Sequence, residues 1–133
     1  MRQGESHRVV VGVDGSDNSV AALHLAAAQA RQRHAALDIV HVVPPDAYQA
    51  QVNDGTVLLE AIISREFPGG LEMAVDRRVE RGDPAPILLY ASAGAELLVI
   101  GERDGDGHSK LFGSRTVRRC LDHGRCPVEV CVG

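Results

Sequence analysis

The segment from Val99 to Ser114, VIGERDGDGHSKLFGS, carries the residues in this chain best suited to chemistry on an anion. A short apolar run breaks at Gly101 into a polar loop that ends in Gly113-Ser114, just before a helix-like stretch. Such a layout cradles a phosphate. Glycines let backbone N–H groups approach the anion, and the helix N-terminus that follows adds uncompensated donors and a partial positive charge. Arg103, Lys110 and Arg115 supply cations, and arginine can grip phosphate with two parallel hydrogen bonds. Asp104 and Asp106 oppose them, since a carboxylate beside phosphate in a partly desolvated site costs on the order of a kcal/mol or more. Mg²⁺ held by Asp104 or Asp106 would resolve that conflict by bridging carboxylate and phosphate. Gly105 and Gly107 offer further backbone freedom in the same loop.

Other candidate chemistries are weaker. The run Asp104-Gly-Asp106-Gly-His108 resembles the start of a calcium loop, but Arg115 stands where the bidentate glutamate is needed. Cys120-x2-His123-x2-Cys126, with Cys131 nearby, has soft ligands at tight spacing, whereas structural zinc more often uses two separated pairs. Packing thiols are the favoured reading there, and no metal site is expected. No G-x-S-x-G or H-E-x-x-H motif is present, so nothing points to a dedicated enzyme. Asp14 suits either a turn or the positioning of a metal or water, and Ser16, Ser19 and Ser114 suit helix caps or phosphate donors. His24, His34 and His41 show no convergent pattern.

The elements that must position these residues alternate in type. Arg8–Val13 (RVVVGV) reads as a buried strand, followed by a turn-rich link in which Ser16 or Asp17 caps a helix. Val20, Leu23, Ala27 and Ala30 then recur at helical spacing up to about His34. Leu37–Val43 is a second strand, ended by Pro44-Pro45. Residues 44–56 are expected to be a mobile loop, with a helix over Val57–Ile63. Leu71, Met73 and Val75, with Val79 further on, suggest a third strand, and Gly82-Asp83-Pro84 starts the next helix. Glu96–Ile100 forms a fourth strand, the Gly101 loop leads to a helix from about Ser114 to Asp122, and Pro127–Val132 is a final strand. Strands separated by helices pair in parallel through right-handed crossovers, so the expected fold is a five-stranded α/β sandwich. Ligands of such sheets bind beyond the carboxyl ends of strands where the strand order reverses, which puts the Asp14 and Gly101 loops on one crevice if their strands are neighbours.

The bulk numbers agree with this class. A chain of 133 residues, 44% hydrophobic and 24% charged, suits a single globular domain over 1–133. With two Phe, two Tyr and no Trp, the core must be aliphatic, and no stacking platform for single-stranded nucleic acid exists. A net charge of −4 removes the footprint of a nucleic-acid binder. No run approaches the roughly 20 apolar residues of a membrane span, and MRQGESHR has no apolar core of a signal peptide. Three cysteines without an export signal read as reduced thiols in a cytoplasmic protein.

Three blocks, VVVGVDGSDNS, GDPAPILLYASAGAELLVIG and GSRTVRRCLDHGRCPVEV, resemble the universal stress protein family, over nearly the whole chain, with residues 44–70 the least typical. The resemblance implies a Rossmann-like three-layer sandwich (adenine nucleotide alpha hydrolase-like), with a parallel sheet in the order 3-2-1-4-5. It also implies a cytoplasmic stress-response role and a homodimer paired through Pro127–Val132, with an unknown protein partner as a further expectation. Many such proteins bind ATP through a G-x2-G-x9-G-S/T pattern. Here Gly101 matches its first glycine and Gly113-Ser114 its end, while Asp14 and Val42 match the residues that meet the nucleoside. Gly12, Ile100, Arg103 and Arg115 complete the implied cofactor-binding set. The chain departs from the pattern at three points: Asp104 replaces the second glycine, the loop is one residue short, and Arg115 follows Gly-Ser. Three readings follow: an ATP-binding module with or without Mg²⁺, a nucleotide-independent dimeric interaction protein, and a slow ATPase.

Overall fold

Strand and helix alternate through the chain, and no two sheet neighbours are joined by a hairpin. A computed structural model describes residues 7–102 and 114–132. Its strands are β1 (Arg8–Gly12), β2 (Ala36–Val43), β3 (Val75–Arg81), β4 (Leu97–Glu102) and β5 (Val128–Val132). The helices are α1 (Asp17–Arg33), α2 (Gln49–Glu66), α3 (Pro84–Ser92) and α4 (Ser114–His123). The sheet is parallel throughout, in the order β3-β2-β1-β4-β5.

Side chains alternate across each strand and so feed two apolar layers. Val9, Val11, Leu37, Ile39, Leu97 and Val99 face α1 and α2. Val10, Val40, Val42, Leu98 and Ile100 face α3 and α4, where they meet Leu88, Val117 and Cys120. The central strands are buried on both faces, which explains why they read as continuous β-branched runs. α1 rests on the sheet through Ala22, Leu23, Ala26, Ala27 and Ala30, and the four alanines let it come close. Ser16 caps it by accepting a hydrogen bond from the Ser19 N–H.

Two segments differ from the sequence expectation. Only residues 44–48 of the expected 44–56 loop are a loop, because α2 begins at Gln49. Its first turns are exposed on nearly all sides, so no apolar stripe marks them. Local polar bonds hold them instead: Tyr48 N–H donates to Gln51 Oε1 at 2.8 Å, and Gln49 Nε2 donates to Asn53 Oδ1 at 3.0 Å. The third strand starts at Val75 rather than Leu71. Leu71 and Met73 are loop residues packed against the α1/α2 layer, and core contact rather than sheet pairing accounts for their alternation.

The amino end of the sheet is tied by Arg8. Its Nη2 donates to the carbonyls of Ala91 at 2.8 Å and Ala93 at 3.1 Å, which satisfies acceptors at the end of α3. Its Nε lies 3.3 Å from Asp38 Oδ2, and Arg78 Nη2 reaches the same oxygen at 3.6 Å. Burial pushes the Asp38 carboxyl above its usual range against the pull of Arg78 and Arg8, with Asp76 adding to the rise.

Candidate functional site

β1 and β4 are neighbours, registered Val9 to Leu97, Val10 to Leu98 and Val11 to Val99. The chain leaves β1 toward β2 on one side and returns to β4 on the other. The strand order therefore reverses between β1 and β4, and the region outside their carboxyl ends is where sheets of this kind take their ligands. Gly12, Val42, Ile100 and Gly101 all stand at the carboxyl ends of the adjacent strands β1, β2 and β4. Val42 and Ile100 are fully buried and face α3 and α4. Ser114 opens α4, and Arg115 beside it is exposed. Arg103 and Gly113 lie outside the described residues, as do Asp104, Asp106 and Lys110.

The turn after β1 is closed by its own polar groups. Asp14 Oδ1 accepts from the Ser16 N–H at 2.9 Å, the geometry by which an aspartate folds its own turn. Asp14 N–H donates to Ser19 Oγ at 3.2 Å, and that hydroxyl donates to the Ser16 carbonyl at 2.9 Å. Gly15 has φ +88°, a conformation that side chains disfavour. Ser19 is fully buried, so its hydroxyl is the internal pin of this turn.

Gly101 belongs to β4, pairing with Cys131, and not to the loop that follows. A Cβ there would fall 2.3 Å from the Asn18 carbonyl oxygen and 2.7 Å from Ser19 N. The glycine therefore lets the first turn of α1 press against β4, a packing demand that differs from close approach to a phosphate. Asn18 Nδ2 donates to the Glu102 carbonyl at 2.5 Å and fixes the last described residue before the 103–113 segment. Sequence reasoning missed Asn18 and His41 as contributors to this region, and Ser19, expected as a cap or a phosphate donor, instead bonds inside the turn. Asn and Ser in a helix start read as ordinary capping residues, and no spacing signal marks a lone strand histidine.

The cysteines do not converge on a metal. Among the described residues, no group of three or more His, Cys, Asp or Glu side chains could hold a metal ion. Cys120 is fully buried on α4, and burial pushes its thiol up to about 11. Cys126 donates to the Pro127 carbonyl at 3.3 Å, and burial raises both its thiol and that of Cys131. At pH 8 a thiol titrating near 11 is only about 10⁻³ thiolate. Iodoacetamide should accordingly modify Cys126 and Cys131 in the native protein well before Cys120, and denaturant should equalise them. Mass spectrometry showing Cys120 alkylated first would contradict the buried placement.

The universal stress protein family profile matches residues 5–131. A universal stress protein of Mycobacterium tuberculosis is 27% identical over 128 residues, covering 92% of this chain and 47% of that protein. The chain thus spans about half the length of the curated relatives it matches. A universal stress protein solved in complex with cAMP has a TM-score of 0.73 at 24% identity, covering 96% of this chain and 97% of that one. The universal stress protein of Archaeoglobus fulgidus in complex with dAMP has a TM-score of 0.69 at 23% identity, with coverage of 93% and 96%. These structures share the fold described above. The chain belongs to the universal stress protein family.

Proposed function

We propose that this chain is a nucleotide-responsive stress protein that takes an adenine nucleotide, ATP in particular, into the crevice between the ends of β1 and β4. The observation that carries the reading is the adjacency of those two strands, which brings the Asp14 turn beside the start of the Gly101–Ser114 segment. The cAMP and dAMP complexes of two relatives of the same fold support an adenine nucleotide. In this reading Asp14 and Val42 meet the nucleoside, with Gly12 and Ile100 lining the approach. Arg103, Gly113, Ser114 and Arg115 serve the phosphates, Gly101 sets the packing of the strand end from which that segment leaves, and Mg²⁺ offsets Asp104 and Asp106. The proposed function is binding, with Asp14 held by the bond that its Oδ1 accepts from the Ser16 N–H.

A ligand that binds only the native state raises stability by about 2.7 kcal/mol at 100 times its Kd, a melting shift on the order of 10 °C for a chain of this size. Millimolar ATP with Mg²⁺ should produce such a shift, and Gly113→Val should abolish it. An unshifted melt at millimolar ATP would overturn the reading. Repeating the titration in EDTA decides whether the divalent ion takes part.

The same reading includes a cytoplasmic homodimer. No helix among the described residues is long and apolar enough to cross a membrane. β5 is a sheet edge with Val132 exposed, and an edge offers unpaired backbone groups to a second copy. Sedimentation at high concentration should find a dimer; a monomer throughout would refute that part.

A further inference from the structure

His41 lies on β2, facing the layer beneath α2, and is only 7% exposed. Its Nδ1 lies 2.8 Å from the Val13 carbonyl oxygen. A carbonyl only accepts, so Nδ1 carries the hydrogen and donates it. Val13 N–H in turn donates to the Val40 carbonyl at 2.9 Å. Both polar groups of Val13 are thus tied to β2, one by backbone and one by the imidazole, one residue beyond the end of β1. The next residue is Asp14, whose turn is closed by the bonds to Ser16 and Ser19.

A glycine on α2 makes room for the ring. Gly55 sits inside α2, where glycine is a poor helix former. A Cβ at Gly55 would fall 2.9 Å from His41 Cδ2 and 3.1 Å from Val79 Cγ1. The glycine leaves the volume that the imidazole needs to reach Val13. Helix propensity is given up at the position that seats the histidine.

We infer that His41 is a positioning residue: seated against Gly55, it holds Val13 and thereby sets the Asp14 turn as the wall of the crevice that receives the nucleoside of an adenine nucleotide. The inference rests on the nucleotide reading above, but the turn can be observed without nucleotide. Hydrogen exchange at the Asp14 and Ser16 amides reports the turn directly, because both donate within it.

The test combines that exchange, measured on nucleotide-free protein, with ATP–Mg²⁺ affinity by calorimetry. The variants are His41→Leu, His41→Asn, Asp14→Ala and the His41→Leu/Asp14→Ala pair. His41→Leu should speed exchange at Asp14 and Ser16 and weaken ATP, each by about tenfold. His41→Asn, whose amide nitrogen can donate near the position of Nδ1, should recover most of both losses. With Asp14 already removed, His41→Leu should change affinity by less than about twofold, since the two residues act in series. Unchanged exchange in His41→Leu, or an equal loss of affinity with and without Asp14, would overturn the inference. If His41→Leu does not fold, Gly55→Ala crowds the ring while keeping it and should speed the same two amides; unchanged exchange there overturns it equally. Failure of the wild type to bind ATP defeats the nucleotide reading alone, and the exchange result then decides whether His41 holds the turn.

Discussion

Gly101→Ala is expected to lower the unfolding free energy by about 3 kcal/mol or more, at or beyond the upper end of usual overpacking costs. The added methyl would meet the Asn18 carbonyl oxygen at 2.3 Å, its carbon at 2.4 Å and Ser19 N at 2.7 Å. All three are backbone atoms, so no side chain can rotate away. Relief requires α1 to slide off β4, which stretches the Asn18 bond to the Glu102 carbonyl and disturbs the buried Ser19 hydroxyl. Urea unfolding should show a lower midpoint with an unchanged slope. A midpoint within experimental scatter of the wild type would mean that α1 does not press on β4 as described. The result also governs how the site is probed. A Gly101 variant that fails to bind ATP reports on packing, so Gly113 and Asp14 are the informative positions.

Arg8→Met is expected to cost about 2–3 kcal/mol, somewhat below the usual range for breaking one half of a buried ion pair. Methionine keeps much of the aliphatic stem but removes every donor. The Ala91 and Ala93 carbonyls lose their partner, and Asp38 keeps only Arg78 at 3.6 Å. Asp38 is 8% exposed, so water cannot fully replace the lost cation. Replacing the aspartate as well, in Arg8→Met/Asp38→Leu, should recover at least half of the loss because no unpaired carboxylate then remains. The account would be wrong if the single variant matched the wild type, or if the double variant were no more stable than the single.

The sheet was largely legible because its signal is redundant. β1, β2 and β4 are buried on both faces and announce themselves as apolar runs, and the turn and cap residues between them agree with that assignment. α2 was legible only in its second half, where Leu59, Ile62 and Ile63 turn inward. Its amino-terminal turns are held by glutamine and asparagine bonds that leave no hydrophobic period. Leu71 and Met73 misled in the opposite sense, since two apolar residues two apart look alike in a strand and in a loop that covers a core. The expected adjacency of the strands that carry the Asp14 turn and Gly101 is present in the sheet. Sequence reasoning read Gly101 as room for a phosphate, whereas the structure uses the missing side chain as room for Asn18. His41 stayed silent because its role depends on a carbonyl 28 positions away.

The all-parallel sheet has a further consequence, in time rather than in space. Each sheet neighbour must be reached through a crossover, and the β1–β4 pairing joins segments roughly 90 residues apart, so chain entropy is lost before that contact is made. Folding should be slow for a chain of this length, as it is where distant pairings dominate. On the nucleotide reading proposed above, the crevice would come into being only with that long closure, since it needs the ends of both β1 and β4. A partly folded chain that has joined β1 to β2 alone holds half a crevice. Nucleotide present during refolding would then leave the rate of folding unchanged and slow only the unfolding of the finished sheet.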